Sequence, residues 1–160
     1  MVALGIVGAK DSGKTAVMEG LIQVLIEDGY RVATIKHTSH RHRFDTPGKD
    51  SFRHRQAGAG LTIAMSGEEV AVFARPDLFD AGRIQAATEG QFDIWLIEGD
   101  RQSSYPKILL TRNMQNLPSD QIPPNIIASI GPGRFDESVP HFADGDYRSL
   151  GSFVVTAFLR

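Results

Sequence analysis

An α/β fold built on a mainly parallel sheet with crossover helices is predicted by three features of the sequence. Apolar runs of strand length alternate with stretches of helical period. The first run, Val2-Ala3-Leu4-Gly5-Ile6-Val7, leads directly into a glycine-rich turn. That turn opens into a helical pattern with Val17, Leu21, Val24 and Leu25 on one face.

The remaining elements follow in order. The first helix is expected to end near Asp28, because Gly29 suits a left-handed cap, and Arg31 to Ile35 reads as the second strand, with Lys36 and His37 at its carboxyl end. Leu61 to Met65 and Val70 to Phe73, joined by a short polar turn at Ser66-Gly67, read as a hairpin, an antiparallel addition to the fold. Pro76 suits a first helical position, and Leu78, Phe79, Ala81 and Ile84 predict a short helix ended by Gly90. Phe92 to Ile97 is a buried strand, and Lys107 to Leu110 and Ile126 to Ile130 are the last strand candidates. A final helix carries Leu150, Phe153, Val154, Ala157 and Phe158 at helical spacing, with Asp146 as its N-cap.

The turn after the first strand, Gly8-Ala9-Lys10-Asp11-Ser12-Gly13-Lys14-Thr15, has the Walker A pattern of a phosphate-binding loop. Small residues let successive backbone N–H groups curl around phosphate oxygens while the following helix points its positive end at the same charge. Lys14 would reach the β- and γ-phosphates and the Thr15 hydroxyl would ligate Mg²⁺. With this loop the expected architecture becomes a three-layer, P-loop NTPase-like fold in a single domain spanning 1–160.

Open parallel sheets bind ligands outside the carboxyl ends of their strands, which singles out two further segments. Ile94-Trp95-Leu96-Ile97-Glu98-Gly99 is an apolar strand ending in a carboxylate that would hold Mg²⁺ or orient a water for attack on the γ-phosphate. The segment Lys36 to Asp45, continuing through Lys49 to Arg55, is dense in cationic and imidazole groups suited to a triphosphate, a phosphorylated substrate or an acidic partner. A helical turn would put Asp50, Arg53 and His54 on neighbouring ridges, from which Arg53 would stabilise γ-phosphate charge or form a surface pair with Asp50. A transition-metal site at His37, His40, His42 and Asp45 would require the loop to fold back, and these spacings fit no specific zinc pattern.

Composition sets outer bounds. Seventeen basic against nineteen acidic residues give a formal charge of -2, which argues against a general nucleic-acid or membrane footprint. The absence of cysteine excludes disulfides, thiolate metal sites and a cysteine nucleophile. With no signal-peptide pattern and no apolar run of spanning length, a cytoplasmic protein is the expectation.

Taken in order, the phosphate loop, Lys36-His37 with His40 and Asp45, Gly48-Lys49-Asp50-Ser51 with Arg53, His54 and Ala57-Gly58-Ala59, Leu96-Ile97-Glu98-Gly99 and Pro106-Lys107-Ile108 resemble the molybdopterin-guanine dinucleotide biosynthesis protein B (MobB) family. The resemblance implies a GTP-binding accessory protein with weak intrinsic GTPase activity. It would assist the guanylyltransferase that converts molybdenum-molybdopterin to its guanine dinucleotide form, and would be a homodimer. By position, Gly8, Ala9, Lys10, Asp11, Ser12, Gly13, Lys14 and Thr15 would bind the phosphates, and Thr15 with Glu98 would serve Mg²⁺. Asp45, Lys49, Asp50 and Arg53 would line the nucleotide or molybdopterin side.

The sequence departs from the family pattern at three points. Thr15-Ala16 replaces a frequent pair of threonines, removing a hydroxyl near the α-phosphate. Asp100-Arg101 stands where a hydrophobic residue and a lysine are usual, so that Arg101 keeps the charge with a planar fork. Asn113-Met114-Gln115-Asn116 lacks the lysine and carboxylate of the Asn-Lys-x-Asp guanine motif, so GTP over ATP rests on the resemblance.

Two enzyme classes compete with the adapter. A small-molecule kinase would need a catalytic base near the γ-phosphate and an arginine-bearing lid, for which only the short stretch Arg75 to Arg83 is available. A metal-insertion GTPase would carry a metal-binding Cys motif and a guanine motif, and the sequence has neither.

Overall fold

The computed structural model describes residues 2–38, 42–116 and 121–160. They form two compact units, one from residues 1–38 and 89–160 and one from residues 39–88.

In the first unit, β1 (Val2–Gly8), β2 (Val32–Lys36), β5 (Ile94–Glu98), β6 (Lys107–Leu110), β7 (Ile126–Ile130) and β8 (His141–Phe142) make a six-stranded sheet in the order β2-β5-β1-β6-β7-β8. Every pairing in it is parallel. Helices α1 (Lys14–Glu27) and α4 (Tyr147–Phe158) pack on one face, where Leu21, Leu25, Leu150 and Val154 meet Leu4, Ile6, Ile94, Leu96, Ile108 and Ile130. The opposite face carries a smaller cluster of Val7 and Leu109 with Met114, Ile126 and Phe135. Burial on both faces explains why β1, β5 and β6 read as continuous apolar runs rather than alternating ones.

The caps fall where local chemistry places them. The Asp28 and Gly29 amides close α1 onto Val24 and Ile26, with Gly29 at φ 89, and Asp146 accepts from the Ser149 amide at 3.1 Å at the start of α4. One helix boundary differs from expectation. Pro76 lies in a turn, and α3 (Ala81–Ala87) begins after Asp80, whose carboxylate accepts from the Arg83 amide at 2.9 Å. A side-chain cap satisfies an otherwise orphaned amide, which proline at the head of the run does not do.

The second unit contains α2 (Asp50–Gln56), α3 and the antiparallel hairpin of β3 (Leu61–Met65) and β4 (Val70–Ala74). The hairpin is a separate two-stranded sheet. Its register sets Leu61 opposite Ala74, Ile63 opposite Val72 and Met65 opposite Val70, so these six share one face. Leu61, Ile63, Met65, Val70 and Val72 are all exposed.

Candidate functional site

The chain leaves β1 through Gly8, where a Cβ would fall 2.7 Å from Ser12 Oγ and 2.9 Å from Leu110 Cβ. Only a residue without a side chain lets the turn close this tightly against β6. Asp11 at φ 56 and Gly13 at φ 90 then curl the backbone into a concave loop. Ala9 and Ser12 are buried, whereas Lys10, Asp11, Gly13, Thr15 and Ala16 are exposed.

Helix α1 starts from this curl with Gly13 as N-cap, without a side-chain cap and without an acidic residue in its first turn. Its first intrahelical bond runs from the Val17 amide to the Gly13 carbonyl at 3.1 Å. The amides of Lys14, Thr15 and Ala16 therefore precede the helical ladder, at its positive end, where an anion is favoured. The Ser12 hydroxyl is buried with no hydrogen-bond partner among the described residues.

Two cations hold the loop from inside. Lys14 Nζ donates to the Ala9 carbonyl at 2.6 Å, and Arg101 Nη2 donates to the Gly8 carbonyl at 2.7 Å. Burial lowers the Lys14 pKa, the Glu98 carboxylate opposes that shift and the Arg101 charge adds to it. The negative charge of a phosphate group would offset both the desolvation and the cation repulsion.

Glu98 ends the strand beside β1, opposite Ile6 on one side and Lys36 on the other. Its Oε1 accepts from Lys36 Nζ at 2.8 Å, and its carbonyl accepts from the His37 amide at 2.8 Å. The next residue, Gly99, sits at φ 103, and a Cβ there would lie 2.5 Å from the His37 carbonyl oxygen. Glycine at this point lets β2 and β5 approach just beyond the carboxylate.

Thr15, exposed at the head of α1, and Glu98, at the end of β5, carry the oxygens that could hold a Mg²⁺ ion of the kind that takes one or two protein ligands and fills its shell from phosphates and water. Gly8 to Ala16, Glu98 and Arg101 lie within one unit, with Arg101 bonded to Gly8 and the Glu98 charge felt at Lys14. Lys36, expected at the carboxyl end of the second strand, adds a hydrogen bond to Glu98 that sequence does not reveal.

Asp45, Lys49, Asp50 and Arg53 belong to the second unit. Asp45 is buried there, accepting from Ser51 Oγ at 2.9 Å and Arg55 Nη1 at 3.2 Å, so its carboxylate anchors the loop to α2. Arg53 and Asp50 form an exposed pair at 3.8 Å, and Lys49 is the exposed N-cap of α2. His40 lies outside the described residues, and among those described no group of three metal-ligating side chains converges.

Residues 3–131 match the family model for molybdopterin guanine dinucleotide synthesis protein B. A molybdopterin-guanine dinucleotide biosynthesis adapter protein of Haemophilus influenzae is 37% identical over 128 residues, covering 78% of this chain and 71% of that protein. The Escherichia coli adapter protein is 37% identical over 109 residues, 64% of this chain and 61% of its own length. The crystal structure of Bacillus subtilis MobB superposes with a TM-score of 0.76 at 26% identity, covering 99% of this chain and 98% of that one.

Proposed function

Since the chain belongs to the molybdopterin guanine dinucleotide synthesis protein B family, we propose that it is a GTP-binding adapter of molybdenum cofactor biosynthesis, assisting a guanylyltransferase that converts molybdenum-molybdopterin to molybdopterin guanine dinucleotide. The observation that carries the nucleotide part is the bare amino end of α1, open to solvent at Thr15 and Ala16, with Lys14 and Arg101 gathered at the loop that precedes it. Three amides ahead of the helical ladder and two cations at the same loop form a receptor for polyanionic oxygen.

Lys14 and the amides of residues 13–16 would bind the β- and γ-phosphates. Thr15 and Glu98 would hold Mg²⁺, whose charge would offset that of the triphosphate. Arg101 would fix the loop through Gly8. Hydrolysis would be slow, and the product of the bound state is a surface for the partner to sense.

The hairpin supports a homodimer. Leu61, Ile63, Met65, Val70 and Val72 present an exposed apolar face that carries no charge. An isologous interface is made by one patch meeting its own copy, which suits an uncharged apolar surface and disfavours a partner read by charge. The occupant we assign to it is a second copy of this chain.

Calorimetry tests the core of this reading. Mg·GTP should bind the wild-type chain and bind Lys14→Ala at least about 10-fold more weakly, the loss of a charge-assisted contact. Added to a guanylyltransferase with molybdenum-molybdopterin, the wild-type chain should raise dinucleotide yield and Lys14→Ala should not. A flat titration for wild type, or an equal yield with and without the chain, would overturn it.

A further inference from the structure

A cavity of about 310 Å³ opens beside the phosphate loop, lined by Gly13 and Ala16 on one side and by Leu110, Arg112, Gly131 and Asp144 on the other. Its far wall is made by the segments that follow β6, β7 and β8, the carboxyl edge where a parallel sheet binds its ligand. The Asn113 side chain ties that wall to the phosphate loop, donating through Nδ2 to the Asp11 carbonyl at 3.1 Å. A nucleotide whose phosphates lie on the loop has its base to place, and this is the adjoining space.

We propose that Arg112 and Asp144 read the base in this cavity and select guanine, Asp144 accepting from the guanine N1–H and exocyclic amine and Arg112 donating to O6. The inference rests on nucleotide binding at the phosphate loop and names its specificity determinants. The two side chains form an ion pair across 32 residues of sequence, and both remain about half exposed, at 51% and 45%, within reach of an entering ligand. The contact uses Arg112 Nη2 and Asp144 Oδ2, so Asp144 Oδ1 and the other guanidinium donors are not consumed by it.

The chemistry discriminates at both positions. A carboxylate only accepts and a guanidinium only donates. Guanine presents donors at N1 and its amine and an acceptor at O6, which matches both. Adenine presents an acceptor at N1 and a donor at N6, which opposes both, leaving two charged groups unpaired. This supplies the carboxylate that Asn113 to Asn116 lacks, from a different strand end.

The test compares GTP, ATP, ITP and XTP by calorimetry on the full chain with Mg²⁺. Wild type should prefer GTP over ATP by about 10-fold or more, and ITP, lacking the exocyclic amine, should lose about 10-fold. Asp144→Asn, isosteric and on an exposed side chain, should invert the preference to XTP, because an amide accepts from N1–H and donates to the xanthine O2. Arg112→Met should weaken GTP without weakening ATP. Equal binding of GTP and ATP by wild type, or an unchanged order of the four in Asp144→Asn, would overturn the assignment while leaving the phosphate loop intact. Failure of all four to bind wild type would instead remove the nucleotide reading and this one with it.

Discussion

Lys36 Nζ lies 2.8 Å from Glu98 Oε1, and the two residues are in register on neighbouring strands at the carboxyl edge of the sheet. The ammonium therefore takes one of the two carboxylate oxygens, Oε1. Lys36 is 61% exposed and Glu98 13%, so a largely buried carboxylate is held by a cation that reaches it from solvent.

Glu98→Gln should separate structure from function on that basis. Its unfolding free energy should change by no more than about 2 kcal/mol, because the amide is isosteric and its oxygen still accepts from Lys36. The Mg²⁺ dependence of triphosphate binding should disappear or shift by more than about 10-fold in metal concentration. Unaltered Mg²⁺ dependence in calorimetry would exclude Glu98 from the ion's surroundings.

The lowered Lys14 pKa carries a pH signature. Its protonated form is the one that pairs with phosphate, so triphosphate affinity should be full below that pKa and fall as pH rises through it, in a window that begins below the ordinary lysine value of 10.5. Titrations with Mg·ATP, whose base does not ionise between about pH 8 and about pH 10 as guanine N1–H does, should show this decline in wild type. Lys14→Ala should lose the slope as well as the affinity.

Lys107 is fully buried in β6, with its ammonium donating to the carbonyls of Ser103, Tyr105 and Pro124. Its stem lies over Gly5, the residue opposite it in β1, where a Cβ would come within 3.0 Å of Cγ. Lys107→Met keeps the stem and removes the donors, so it should lower stability by about 2 kcal/mol in denaturant melts. Burial lowers the Lys107 pKa, with the Asp100 charge opposing the shift. The unfolded chain then binds more protons than the folded one between the two pKa values, so the wild-type advantage over Lys107→Met should grow as pH rises through that window.

Ile63 and Val72 face each other across the hairpin with about half of each side chain's surface open. Ile63→Glu should leave the fold unchanged, because the position is exposed, and convert a dimer to a monomer in sedimentation velocity. The same sedimentation coefficient for both proteins, concentration by concentration, would remove the hairpin from the interface.

What sequence made legible was local. The phosphate loop, the carboxylate-ended strand at Glu98, the Asp146 cap and the hairpin are each written in consecutive residues, so spacing alone reveals them. Residues joined through the sheet were not. Arg112 and Asp144 meet only because β8, a two-residue strand too short to carry a pattern, runs parallel to β7. Lys107 reads as a charge at a strand's edge, and its burial depends on Gly5 in β1 and on a loop carbonyl at Pro124. The burial of Asp45 is also invisible in sequence, because it depends on the loop folding back so that Ser51 and Arg55 donate to its two carboxylate oxygens.

Strand order has a consequence for synthesis. β1 and β2 are successive in sequence, yet β5 stands between them, so neither the first nor the second has that neighbour until residue 98 has left the ribosome. A nascent chain halted before that point holds the complete glycine-rich turn but no sheet to brace it, and its β1 and β2 remain open to pairing with other chains. Closure of the sheet around β1 and β2 is thus obliged to wait for β5, and a chaperone would be most useful during that interval.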